Sequence, residues 1–219
     1  MKDFRYKAVV FDLGGTLMEY EGMPLDWSEF YYRGFLESAK KNHIKISDDK
    51  IKSSAEIMRS YNPRLTGREV EISSDEIFCD AVSDWNYGGD ITDIINGFWE
   101  GLKLSSRVFE YTDELIVFCR QNNAKIACLT DLPNGMPDRI FKPAIRDVES
   151  KLDLYMSSEI CGYRKPNKAG IQKIAEYFQI RVDEMLLVGD EEKDQKTSEN
   201  AGCDFMFINE FTKMTLSDN

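Results

Sequence analysis

The sequence predicts an α/β fold: a parallel sheet covered by helices on both faces, with a helical block inserted after the first strand. Three observations predict it. Short apolar, strand-like runs occur at KAVVF (7–11), KIACLT (125–130), LDLYMSS (152–158), MLLVG (185–189) and CDFMFI (203–208). Helical spacing separates the later runs, and strand alternating with helix implies a parallel sheet. Residues 20–107, by contrast, carry helical spacing and many aromatics with few strand signals. The expected division is a core of 1–19 plus 108–219, interrupted by 20–107.

Each element has a local reason. KAVVF leads straight into Asp12 and the turn residues Gly14 and Gly15, so a buried strand ends in a tight loop. Helices are expected near 26–42, 47–61, 74–86 and 90–102, with Ser47 and Ser74 as N-caps followed by acids. Trp27, Phe30, Tyr31, Tyr32 and Phe35 read first as core of this block and second as a substrate cage. Beyond 108, Thr112 is the expected cap of a helix with Leu115, Phe118 and Cys119 on one face. Residues 137–151 form another helix. Asn167 is expected to cap a helix burying Ile171, Ile174, Ala175 and Phe178, and 191–201 complete the helical set.

Bulk properties narrow the function. A chain of 219 residues supports one good-sized core, or a core plus a smaller domain. A net charge of -11 repels nucleic acid and anionic membrane, so neither is an expected partner. It repels a phosphate ester too, so an anionic substrate needs a local cation. No apolar run approaches the about 18 residues of a membrane span. The five cysteines form no CxxC pair, and MKDFRYKAVVF fits no signal peptide, so reduced thiols and a cytoplasmic location are expected. A single histidine, His43, argues against a serine–histidine triad and a multi-histidine zinc site. No signal sets an oligomeric state.

Ligands of an open parallel sheet bind at the carboxyl ends of its strands. Those ends carry Asp12, Thr130, Asp131 and Asp190, with Asp194 one turn into the next helix and Lys165 in the loop after the third strand. Three acids brought together raise one another's pKa values and oppose folding unless a cation joins them. Oxygen ligands of this kind suit Mg²⁺, which also takes phosphate oxygens as ligands. Mg²⁺ and Lys165 together would balance Asp12, Asp190 and Asp194.

The order of these residues resembles the haloacid dehalogenase-like superfamily. VVFDLGGTL (9–17) stands where that family has a strand followed by DxDxT. ACLTD carries the Thr130 of its second motif, CGYRKP the Lys165 of its third, and LLVGDEEKD the Asp190 and Asp194 of its fourth. The resemblance spans the whole chain. It implies a Rossmann-like core, a helical cap formed by 20–107, and a hydrolase acting on a small phosphorylated metabolite. By the same resemblance Asp12 is the nucleophile and forms an aspartyl-phosphate, while Thr130 binds the transferring phosphoryl group. Lys165 neutralises charge, and Asp12, the Gly14 carbonyl, Asp190 and Asp194 hold Mg²⁺. Gly14, Gly15 and Asp131 complete the phosphate-binding side of the expected site.

Two positions depart from the family pattern. Gly14 replaces the second aspartate, whose side chain is a general acid–base; loss of such a group costs about 10²–10⁴ in rate. Asp131 stands where Asn is common; it either substitutes for the missing acid or bonds loop amides near Asn134 and Gly135. Three readings stay open. The first is a phosphatase with a substitute acid, or one whose substrates need none. The second is a 2-haloacid dehalogenase. The third is a module of low activity that binds a phosphate ligand or a partner.

Overall fold

The computed structural model describes residues 4–216. Its chain divides into two compact units. One holds residues up to Glu19, Ser106–Asp131 and Ile145 onward; the other holds Tyr20–Ser105 and Leu132–Ala144.

In chain order, strands β1 (Ala8–Phe11) and β2 (Met18–Tyr20) precede five helices. These are α1 (Tyr31–Lys41), α2 (Asp48–Ser60), α3 (Pro63–Thr66), α4 (Ser74–Ala81) and α5 (Ile91–Leu102). Next come β3 (Ser106–Val108), α6 (Thr112–Gln121), β4 (Lys125–Thr130), α7 (Asp138–Glu149), β5 (Leu154–Ser157) and α8 (Ser158–Cys161). The chain closes with α9 (Ala169–Phe178), β6 (Met185–Gly189), α10 (Glu192–Ala201), β7 (Asp204–Phe207) and α11 (Ile208–Leu216).

The first unit is built on a five-stranded sheet in the order β5-β4-β1-β6-β7, with every neighbouring pair parallel. The fold class expected from the sequence is the one observed. Apolar residues occupy both sides of the central strands because both sides are covered. Ala8, Val10, Ala127, Leu129 and Leu187 pack toward Ile171, Ile174 and Ala175 of α9. On the alternate register, Phe11 meets Phe211 of α11 edge-on at 5.7 Å, and Phe211 in turn meets Phe118 of α6 at 6.0 Å.

The second unit is helical and has its own aromatic core. Phe35 stands 5.0 Å from Phe98, 5.6 Å from Phe78 and 5.9 Å from Trp85, ring centre to ring centre. Gly34 permits the close approach of α1 and α5, since a Cβ there would lie 2.3 Å from the Phe98 ring. Of the aromatic run read from the sequence, Tyr31 and Phe35 are buried, while Trp27, Phe30 and Tyr32 are half-buried.

Several local expectations need correction. Residues 132–144, expected in the core, belong to the helical unit: there Arg68 and the Met58 carbonyl bond Asn134, while Ser74 and Trp99 donate to the Gly135 carbonyl. Ser73, not Ser74, caps α4, accepting the Glu76 amide. Thr112 is the first residue of α6, not its cap; its buried hydroxyl donates to the Leu17 carbonyl at 2.9 Å. Lys168 precedes α9, although Asn167 still accepts the Ala169 amide. β2, α3, β3, α8 and α11 are additional. All five cysteines are free, and His43 is exposed. Among the described residues no helix is long and apolar enough to cross a membrane.

Candidate active site

The carboxyl ends of β1, β4 and β6 lie side by side, because β1 pairs with β4 on one side and β6 on the other. Phe11 is level with Cys128 and Val188, so Asp12 is level with Leu129 and Gly189. Thr130 therefore stands one residue further along than Asp12, and Asp190 likewise. The sheet order changes direction at β1, so this is the topological position where open α/β sheets bind ligands.

The chain leaves β1 through a tight turn. The amides of Thr16, Leu17 and Met18 all point to the Leu13 carbonyl, and the Gly15 amide returns to the Met18 carbonyl. Gly15 holds φ +78°, a left-handed conformation that costs other residues about 1–2 kcal/mol. It also makes room for Asp190: a Cβ at this position would sit 2.2 Å from Asp190 Oδ2. Gly14 differs. Nothing lies within 4 Å of where its Cβ would be.

Asp12, Asp190 and Asp194 each offer a carboxylate oxygen, and the three oxygens lie within 4.8 Å of one another. Lys165 reaches into this cluster. Its Nζ is 2.8 Å from Asp12 Oδ1 and 2.6 Å from Asp194 Oδ1, with the lysine side chain 1% exposed. Thr16 donates to Asp190 Oδ1 at 3.2 Å, and the Glu191 amide donates to Asp194 Oδ2 at 3.0 Å. Asp194 thus completes the N-terminal capping of α10 and pairs with the lysine. Glu191 is the N-cap residue of α10, and Glu192 is exposed at its start, paired with Lys196.

Burial dominates the electrostatics. It pushes the Asp12 carboxyl up to about 7; Lys165 opposes the shift and Asp194 adds to it. Asp190 is raised by burial, then by Asp194 and Glu191. Burial disfavours the Lys165 charge, but Asp12, Asp194 and Asp131 outweigh it, leaving the ammonium firmly protonated. With all three carboxylates ionised, the one ammonium would leave an excess of two negative charges, which is why burial and mutual repulsion raise Asp12 and Asp190.

Asp131 lies outside the three-acid cluster. Its Oδ1 accepts the Lys165 backbone amide at 3.0 Å, and its Oδ2 lies 3.6 Å from Lys193 Nζ. The partners expected for it, the amides of Asn134 and Gly135, are not the ones observed. Burial alone would raise its pKa, but Arg164, Lys193 and Lys165 hold it below the usual carboxylate range. It is therefore ionised at neutral pH and unsuited to donate a proton. Thr16 and Lys193 are absent from the sequence-derived site. The threonine closing the DxDxT pattern signals the first; for Lys193 only its place between Asp190 and Asp194 hints at a role.

The family model of haloacid dehalogenase-like hydrolases matches residues 6–202. The chain belongs to this family. No curated protein matches this hydrolase. Among solved structures, a protein described as a predicted phosphoglycolate phosphatase from Haemophilus somnus 129pt shares 15% identity at a TM-score of 0.55, covering 98% of this chain and 99% of the other. A dehalogenase shares 15% at 0.54, with 94% and 86% covered. The proposed HAD-hydrolase YfnB from Bacillus subtilis, bound to magnesium, shares 17% at 0.50, with 92% and 86% covered. At these identities the likeness concerns the fold.

Proposed function

We propose that this hydrolase is a magnesium-dependent phosphatase acting on a small phosphorylated metabolite through an aspartyl-phosphate on Asp12. One observation carries the reading: of three clustered carboxylates, Asp12 and Asp194 buried and Asp190 partly so, only Asp12 and Asp194 pair with the Lys165 ammonium. Such a site needs further positive charge. Hard oxygen donors of this kind suit Mg²⁺. Asp12, Asp190 and the Gly14 carbonyl would hold it, with Asp194 beside them. When bound, the ion supplies charge that stabilises a phosphoryl group next to Asp12. The related YfnB structure, described as bound to magnesium, is consistent with this.

Lys165 holds Asp12 Oδ1, so Oδ2 is the oxygen available to attack phosphorus. A carboxylate nucleophile divides hydrolysis into two easier steps. In the first, the new Asp12–phosphorus bond forms and the leaving oxygen departs with its electron pair. In the second, water attacks phosphorus and the electron pair returns to Asp12. Thr130, at the end of β4, would donate to a phosphoryl oxygen. Lys165 offsets charge throughout, a contribution of preorganised electrostatics.

Gly14 supplies no proton, and Asp131 is ionised and bonded. The favoured substrates therefore have leaving groups stable as anions, such as acyl and aryl phosphates. Structural relatives include dehalogenases as well as phosphatases, so the fold does not choose between them. The acid cluster supports the phosphatase reading, because an ion held by three carboxylates would have a phosphoryl group to stabilise.

The test is phosphate release from an aryl and an acyl phosphate. Activity should need Mg²⁺, vanish with EDTA and vanish in Asp12→Asn. Metal-independent turnover of 2-chloropropionate would establish the dehalogenase instead. Tight binding of a phosphate analogue without turnover would leave a binding module.

A further inference from the structure

We propose that Asp131 is a positioning residue that acts through Lys165. The inference rests on the phosphatase reading for its kinetic part only.

The geometry is specific. Lys165 lies in the loop between α8 and α9, and its ammonium must reach between Asp12 and Asp194. The end of α8 and one point of that loop are fixed by other partners. Lys173 Nζ donates to the Cys161 carbonyl at 2.7 Å, and Asn200 donates to the Pro166 carbonyl at 2.9 Å. The backbone of Lys165 itself is held by Asp131, whose Oδ1 accepts its amide at 3.0 Å. Lys193, from α10, faces the other oxygen at 3.6 Å and also lies 3.3 Å from Glu191 Oε1. The Asp131 carboxylate, 10% exposed, is thus gripped from two elements. It ties the end of β4 to the start of the Lys165 side chain.

This arrangement accounts for an acid next to the phosphoryl site. A free carboxylate there would repel substrate. Here one oxygen accepts an amide and the other faces an ammonium, so its charge is spent on the scaffold. Displacing a charged group by about 1 Å costs up to about 10²-fold in rate even when nothing touching the substrate has changed.

The experiment compares Asp131→Ala with Asp131→Asn in the full chain. Asn keeps an oxygen acceptor for the Lys165 amide but loses the charge. Two readouts are taken: hydrogen exchange of the Lys165 amide, and kcat and KM for an aryl phosphate with Mg²⁺. In Asp131→Ala, exchange at Lys165 should accelerate, and kcat should fall about 10- to 100-fold with KM changed less than about 3-fold. Asp131→Asn should restore slow exchange and most of kcat. Unchanged exchange in Asp131→Ala overturns the anchor. An Asn variant as slow as the Ala variant, yet with protected exchange, overturns it in favour of a direct charge or acid role. Should the wild-type protein hydrolyse no phosphate ester, the phosphatase reading falls and exchange alone decides the anchor.

Discussion

Gly15 and Asp190 stand so close that not even a methyl group fits between them: a Cβ at Gly15 would lie 2.2 Å from Asp190 Oδ2. The turn after β1 and the acid after β6 are therefore mutually shaped. Gly15→Ala must move the carboxylate and also adopt φ +78°. The expected cost is about 1–2 kcal/mol from the backbone alone. Urea unfolding measures that cost. Titration calorimetry should show Mg²⁺ binding weakened at least tenfold; unaltered binding would mean that Asp190 is not placed by this contact.

Lys165 spans Asp12 and Asp194, so its removal strands two buried carboxylates. Losing one partner of a buried ion pair costs about 3–5 kcal/mol. Lys165→Met keeps most of the side-chain volume and should lower stability by an amount in that range, measured in EDTA. It should also lose phosphatase activity with Mg²⁺ restored. Near-wild-type stability would show that the carboxylates find protons or solvent instead.

Gly14 has an ordinary φ and empty space at its Cβ position, so a side chain can be added without strain. Gly14→Asp should therefore fold normally. A positioned acid is worth about 10²–10⁴ in rate where the leaving group needs a proton. The gain should be large for alkyl phosphates and small for acyl phosphates. A plot of log kcat/KM against leaving-group pKa should be steep in the wild type and shallow in the variant. Equal slopes would show that another group already delivers the proton.

Much of this architecture was legible because its signals are local. KIACLT and MLLVG are continuous apolar runs, and they form β4 and β6 with the bounds expected. The candidate residues Asp12, Thr130 and Asp190 were legible because they stand at or just past strand ends. β2 and β3 were not. Each has three residues, and the Ser106–Val108 strand is largely exposed, so it carries no hydrophobic period. The capping expected of Thr112 failed because its hydroxyl bonds Leu17, 95 residues away in the chain. Residues 132–144 were misassigned because Asn134 and Gly135 bond Arg68, Met58, Ser74 and Trp99, partners that no local pattern names. The bridging position of Lys165 and the anchoring of Asp131 are likewise distances between segments far apart in sequence.

Metal binding should appear as stability. A ligand bound only by the folded state adds about 2.7 kcal/mol at a hundred times its Kd. Tm should rise with MgCl₂ and not with NaCl of equal ionic strength. Asp190→Asn should abolish most of the rise, because one of three acids no longer carries charge. A Tm indifferent to Mg²⁺ would count against the acid cluster as a metal site.

Asp153 offers a test of the sheet away from the active site. Its Oδ2 accepts the Ile126 amide at 2.8 Å and a bond from Arg120, while its own amide donates to the Ile126 carbonyl at 2.7 Å. Burial tends to raise its pKa, but Arg120 and the Ile126 amide outweigh it and hold the carboxyl below its ordinary value. A depressed folded-state pKa gives stability that is full above the unfolded pKa, about 3.9, and lost as pH falls through the lower folded value. Asp153→Ala should thus cost about 1.5–3 kcal/mol at pH 7, the range for hydrogen bonds to a charged group. The gap between wild type and variant should hold down to about pH 5 and close progressively below pH 4. Urea unfolding between pH 7 and pH 2.5 measures it. A gap that stays constant across that range would assign the stabilisation to packing rather than to the ionised carboxylate.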